Sequence, residues 1–174
     1  MASVFGHALA SIALGNGFVK TKKALKFWLL GICCAIFPDA DVIGFKYGIP
    51  YASFWGHRGF SHSLVFAIVL GFIIALLFYR KKAFRWYFMF FTLATASHAI
   101  LDALTTGGLG VAFFSPFDNS RYFFPWRPIQ VSPIGVANFF TERGLRVIKS
   151  ELVWIGIPSF VFIILLRIYN KIRE

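Results

Sequence analysis

Five apolar runs, separated by basic clusters or by glycine and proline, organise this chain. Residues 4–19 are apolar with many small side chains and predict a first, rather polar helix. Residues 24–37 predict a second, which stops where Pro38 removes a backbone donor and Asp39 and Asp41 appear. Residues 42–56 read as a loop punctuated by Gly44, Gly48 and Pro50. Ser61 is placed to cap a third helix running through Tyr79, whose section 64–78 carries no charge. A fourth helix covers residues 84–104 and is ended by Gly107 and Gly108; a last one covers 148–169. Between these two, residues 107–146 form a connection with four prolines. That is too long for a plain linker, and it is expected to cap a functional site.

Composition turns these runs into membrane helices. Apolar residues make up 58% of the chain and charged residues 14%, against about 25% charged in soluble proteins. Several runs fall short of the ~20 residues that a full span needs, so some helices are expected to be half-immersed or shielded by neighbours. The net charge of +11 would suit nucleic acid if the bases formed a continuous face. They stand instead in compact clusters: Lys20, Lys22, Lys23 and Lys26; Arg80, Lys81, Lys82 and Arg85; Arg167, Lys171 and Arg173. Five spans put all of these on one side, cytoplasmic by the positive-inside rule, and no nucleic-acid partner is expected. Arg143, Arg146 and Lys149, on the other side, are a mild counterweight. The predicted fold is therefore all-α, a polytopic membrane protein of about five helices with a long extracytoplasmic loop over its site. A single domain covers residues 1–174. The first sixteen residues lack the positive start of a cleavable signal and read as retained structure. Cys33 and Cys34 read as small buried hydrophobes.

The candidate chemistry lies on the face opposite the bases. That face receives His7, Asp39 and Asp41, His57 and His62, and His98 and Asp102, which include all four histidines of the chain. An ionisable residue within a span costs roughly 2.5–3.5 kcal/mol on insertion scales and needs compensation. His98 and Asp102 are four apart, share a helix face and can bind one ion; Thr105 follows on that face. Taken singly, each group has a plain alternative. These are an ion pair without metal at His98 and Asp102, a solvated turn at Asp39 and Asp41, interfacial hydrogen bonding at His57 and His62, and a structural role for His7. Jointly they point to a metal centre. Mixed histidine and aspartate ligands suit zinc, or manganese or iron if oxygen donors predominate. Arg58, Arg121 and Arg127 are candidates to bind an anion beside it, with interface snorkelling as the alternative. Residues 121–127 interleave aromatics with bases as an interfacial belt does, which suits lipid headgroups. Glu142 and Glu151 read as supporting acids or, more simply, as salt-bridge partners of Arg143, Arg146 or Lys149.

At these residues the chain resembles the YdjM-type, LexA-regulated family of membrane-bound metal-dependent hydrolases. The matching pieces are His7, Pro38-Asp39-Ala40-Asp41, the stretch from His57 to Ser63, and His98-x-x-x-Asp102 followed by Thr105-Thr106-Gly107-Gly108. Ser115-Pro116-Phe117, the stretch from Arg121 to Trp126, and Ser132-Pro133 continue the match over nearly the whole chain. In ligand logic it is distantly similar to zinc-dependent phospholipase C. That similarity implies Asp102 as a bridge, with His98, His62 and Asp39 or Asp41 on one ion and His7 on another. Histidines for a third zinc are absent here, and His57 has no clear counterpart.

The expected function is hydrolysis of a phosphoester on a lipid headgroup or lipid-linked phosphate at the outer membrane interface, with one or two divalent ions, zinc favoured. Metal ligands would be His7, Asp39, Asp41, His62, His98 and Asp102. His57 would act as acid, Asp41 or Asp39 as base, and Arg58, Arg121 and Arg127 would hold the substrate. The expected location is the cytoplasmic (inner) membrane of a bacterium or archaeon, with several spans and the site on the non-cytoplasmic side. The competing class is a non-enzymatic metal-binding membrane protein: a carrier, sensor or structural element.

Overall fold

Each apolar run folds as helix, and the differences lie at the ends. The computed structural model describes residues 1–18, 24–80, 83–134 and 136–173. Lys20, Lys22, Lys23, Lys81 and Lys82, members of two predicted basic clusters, lie outside the described residues. The helices are α1 (Val4–Gly17), α2 (Leu25–Ile36), α3 (Leu64–Tyr79), α4 (Phe84–Ala103), α5 (Val136–Phe139), α6 (Glu142–Glu151) and α7 (Ile157–Arg173). A π-helical turn, Leu152–Gly156, joins α6 to α7, so the last rod runs unbroken from Glu142 to Arg173. No strand occurs among the described residues, only isolated bridges between Thr105 and Ile129 and between Val111 and Tyr122.

Three boundaries depart from expectation. Pro38 ends α2 as predicted, but the chain keeps turning as a 3₁₀-helix, Phe37–Tyr47, closed by left-handed Gly48 (φ 73°). The loop expected from residue 42 therefore begins near Gly48, because a proline early in a tighter helix removes no donor that the helix needs. The cap of α3 is Ser63, whose hydroxyl accepts from the amide of Phe66 at 3.0 Å. Ser61 instead lies in a short 3₁₀ turn, Phe60–His62. The last rod starts at Glu142 rather than 148. Its first turns are amphipathic, burying Gly144, Val147 and Glu151 along one face, which a search for continuous apolar runs passes over.

Leu25–Tyr47 and Glu142–Arg173 are each long and apolar enough to cross a membrane. Helix α3 is wholly apolar but has 16 residues, ~24 Å at 1.5 Å per residue, against a hydrocarbon core of ~30 Å. Ile68, Val69 and Leu77 on α3 and Phe160 and Leu165 on α7 face outward, the apolar outer surface that lipid contact requires. Cys34 is buried in the core with Phe27, Ala75, Phe90, Phe91 and Ala94; Cys33, against expectation, is exposed. Helix α4 is central and packs on α1, α2 and α3.

The long connection folds over the end of the bundle where α4 finishes and α3 begins. Its backbone is pinned there by Leu64 N to Phe113 O (3.0 Å), Phe124 N to Ala103 O (3.1 Å) and Thr106 N to Ile129 O (2.9 Å). The α3–α4 contact depends on Gly71, where a Cβ would stand 2.3 Å from Thr92 Oγ1 and 2.6 Å from the Thr92 backbone nitrogen. Gly71→Ala should force the two helices apart and lower stability by about 1–3 kcal/mol. The thermal midpoint of purified protein checks this; an unchanged midpoint would show that the helices part freely.

Candidate metal centre

The polar residues singled out in the sequence reach one end of the bundle from separate elements. His7 stands near the start of α1, and Asp39 and Asp41 lie on the 3₁₀ extension of α2. His57 precedes and His62 ends the turn before α3, while His98 and Asp102 occupy the last two turns of α4. His7, His62, His98 and Asp102 are fully buried or within 1% of it.

One ligand atom from each of Asp39, His62, His98 and Asp102 can be chosen so that all lie within 4.8 Å of one another. His98 Nε2 is 3.3 Å from Asp39 Oδ1 and 3.9 Å from Asp102 Oδ2. His62 Nε2 is 3.6 Å from Asp39 Oδ1 and 3.7 Å from Asp102 Oδ2. His7 joins from the far side, its Nε2 at 3.4 Å from Asp102 Oδ1 and its ring stacked on His98 at 3.8 Å.

The hydrogen bonds around this group leave it short of a cation. His98 Nδ1 donates to the carbonyl of Ala35 at 2.7 Å, and His62 Nδ1 lies 3.0 Å from Ser61 Oγ and 3.2 Å from Asp41 Oδ2. Those contacts suit a proton on each Nδ1, and the two Nε2 atoms face each other across 3.0 Å. Both oxygens of buried Asp39 and both nitrogens of His7 find no hydrogen bond of acceptable geometry. Buried polar atoms in such number need a partner. A tetrahedral zinc bound at ~2.0–2.1 Å sets its ligand atoms ~3.3 Å apart. The observed separations of 3.0, 3.3, 3.6, 3.7 and 3.9 Å straddle that value, so the residues present fit a divalent ion.

A second group, Asp41, His57 and His62, adjoins the first and shares His62 with it. Asp41 Oδ1 takes a 2.7 Å bond from His57 Nδ1, and its Oδ2 accepts from Ser61 Oγ at 2.6 Å and the amide of Arg58 at 3.2 Å. Ser61 thus serves this carboxylate rather than a helix end. Burial holds the His57 imidazole below its ordinary pKa, with the bond to Asp41 pulling the other way. His57 lines a cavity of about 660 Å³ shared with Tyr51, Gly107 and Arg143.

Of the three arginines expected to grip a substrate anion, Arg58 and Arg121 are engaged within the protein. Arg58 is fully buried, its Nε 3.0 Å from Asp102 Oδ2, Nη2 on Thr105 Oγ1 at 2.9 Å and Nη1 on the Gly107 carbonyl at 2.8 Å. Its backbone is left-handed (φ 65°), a conformation that stores about 1–3 kcal/mol in a non-glycine residue and is kept by these contacts. Gly108 (φ 97°) lets the following loop close on it, since a Cβ there would stand 2.6 Å from Arg58 Nη1. Arg121 donates to the carbonyls of His57 (2.8 Å), Tyr51 (2.9 Å) and Ser53 (3.1 Å), and so braces the loop that carries His57. Arg127 stands apart, its guanidinium 4.6 Å above the ring of Phe123. Glu151, expected to pair with nearby bases, instead accepts from the amide and hydroxyl of Ser3, the cap of α1. Ser3 was passed over in the sequence, although a serine directly before an apolar run is a usual helix cap; nothing local points to Glu151, 148 positions away.

Fold and site together define an α-helical membrane protein with a buried histidine–aspartate cluster that could hold a metal ion. The chain belongs to the family described as YdjM inner membrane protein, which matches residues 1–173. It is 37% identical over 164 residues to the inner membrane protein YbcI of Escherichia coli (strain K12), covering 92% of this chain and 94% of that one. No solved structure matches. It is accordingly an inner membrane protein.

Arg58→Met should leave Asp102 without its guanidinium partner. Breaking a buried pair by removing one partner costs about 3–5 kcal/mol. The melting midpoint of metal-stripped protein reads this; no change would show that the pair holds nothing together.

Proposed function

We propose that this chain is a one-domain, multi-pass hydrolase of the inner membrane that cleaves phosphate esters of lipids or lipid-linked phosphates with the help of divalent metal. The observation that carries this is the convergence of the His62 and His98 Nε2 atoms on an Asp39 oxygen that has no hydrogen bond, beside a cavity that His57 lines. Asp39, His62, His98 and Asp102 would hold one ion, zinc favoured, and His7, whose Nε2 lies 3.4 Å from Asp102 Oδ1, would contribute to a second. Such an ion supplies Lewis acidity to a phosphoryl oxygen and makes water a better nucleophile.

The chain's own residues handle the proton. Asp41 accepts from His57 Nδ1, which fixes the tautomer and leaves Nε2 to exchange a proton with what enters the cavity. His57 is then the acid–base residue and Asp41 the group that orients it, a revision of the expected pairing in which Asp41 was itself the base. The loop between α4 and α5 covers the site, which would open at headgroup level on the non-cytoplasmic side.

The near-complete burial of His7, His62, His98 and Asp102 favours one other reading, a membrane protein that holds metal without catalysis. Metal analysis of purified wild type beside His98→Ala and Asp102→Ala separates these. Wild type should carry one or two equivalents, and each variant should bind roughly 10–100-fold more weakly or worse. Equal metal content in all three would end the metal-centre reading. Metal-loaded wild type that turns over neither phosphodiesters nor phosphomonoesters would point to the non-catalytic protein.

A further inference from the structure

We infer that the substrate is a phospholipid-like amphiphile whose acyl chain lies in a groove between the start of α1 and α5. Its phosphate would face Arg143 in the adjoining cavity, an inference that rests on the lipid-phosphoesterase reading above. Two hollows adjoin at this place. The first is the cavity of about 660 Å³ at His57, whose lining includes Asn138, Thr141 and Arg143. The second, about 310 Å³, is lined by Val4, Phe5, Phe139 and Phe140. Met1, Ser132 and Pro133 line both, so the two hollows are neighbours. Each volume falls within the about 300–1,000 Å³ usual for ligand sites.

Their chemistry differs as the two ends of a lipid differ. Arg143 is exposed at the first hollow and pairs with no carboxylate among the described residues; Arg58 and Arg121 are held within the protein, and Arg127, over the Phe123 ring, does not line this hollow. A guanidinium so placed matches a phosphate oxygen pair. The second hollow offers aromatic rings: Phe140 is 81% exposed and Phe5 68%, and the ring of Phe139 lies 6.0 Å from that of Phe5. Rings this bare on a membrane protein suit hydrocarbon rather than water. A free phosphate would use the first hollow and leave the second idle; an uncharged lipid would do the reverse. One amphiphile occupies both and brings its phosphoester past His57.

The test uses the full chain in phosphatidylcholine vesicles with a phosphatidic acid probe bearing a diazirine in its acyl chain. Irradiation followed by mass-spectrometric mapping should place label mainly on Phe5, Phe139 and Phe140. Arg143→Gln should reduce that label roughly tenfold, the loss expected for one charged hydrogen bond. Excess dioleoyl phosphatidic acid should displace the probe, and glycerol 3-phosphate at equal concentration should not. Label spread evenly over the outer faces of α3 and α7 would overturn the groove. Equal competition by glycerol 3-phosphate would overturn the part assigned to the chain, and indifference to Arg143→Gln the part assigned to the head. Metal content is measured on the same samples. Absent metal with label in the groove would remove the hydrolase reading and leave a lipid-binding groove without a substrate role; bound metal with scattered label would remove the groove and leave the hydrolase reading.

Discussion

Asp102 is a carboxylate with no exposed surface in a bundle made mostly of hydrocarbon, and the arrangement of its neighbours follows from that. An ion in such a place carries a desolvation penalty of several kcal/mol unless it is paired and hydrogen-bonded. Its partners come from several separate elements. The amide of Ala2 donates at 2.7 Å, Arg58 Nε lies at 3.0 Å, and the Nε2 atoms of His7, His62 and His98 lie at 3.4, 3.7 and 3.9 Å. One side chain on α4 thereby holds the entry to α1 and the loop before α3 in register and, through Arg58, the turn at Thr105. Misplacing any of them leaves a buried charge without its partner, so the same interaction that closes the fold also shapes the cluster.

Asp41 divides the site into two halves. Through Oδ2 it serves Ser61 and His62, on the side of the buried cluster; through Oδ1 it fixes His57, on the side of the cavity. The buried cluster and the cavity are thus joined by one carboxylate yet differ in their surroundings. Arg58 and Arg121 stabilise these two halves from behind. The first neutralises Asp102, and the second ties down the carbonyl of His57 itself. Arginine suits both tasks because its planar fork donates in several directions at once.

Much of this could be read from the order of residues. Continuous apolar runs bounded by glycine, proline and basic clusters mark helices because backbone groups in hydrocarbon must bond within their own segment. The spacing of His98 and Asp102 puts them on one helix face through local geometry alone. Alternation of the runs across a membrane was enough to expect that His7, Asp39, Asp41, His57 and His62 meet them at one end. What the order of residues left open depends on contacts between distant positions. Whether Arg58 turned outward to a substrate or inward to Asp102 was settled by a left-handed backbone and by Gly108 closing over it. Ser61 and Ser63 carry the same cap signal, and the nearness of Asp41 assigned the first to the site and the second to α3. Glu151 met Ser3 only because α6 and α7 form one rod beside α1. Local pattern decides which segments are helical and which faces are apolar. The partner of each buried charge is decided by packing, because electrostatic pairing acts across space and takes no account of sequence separation.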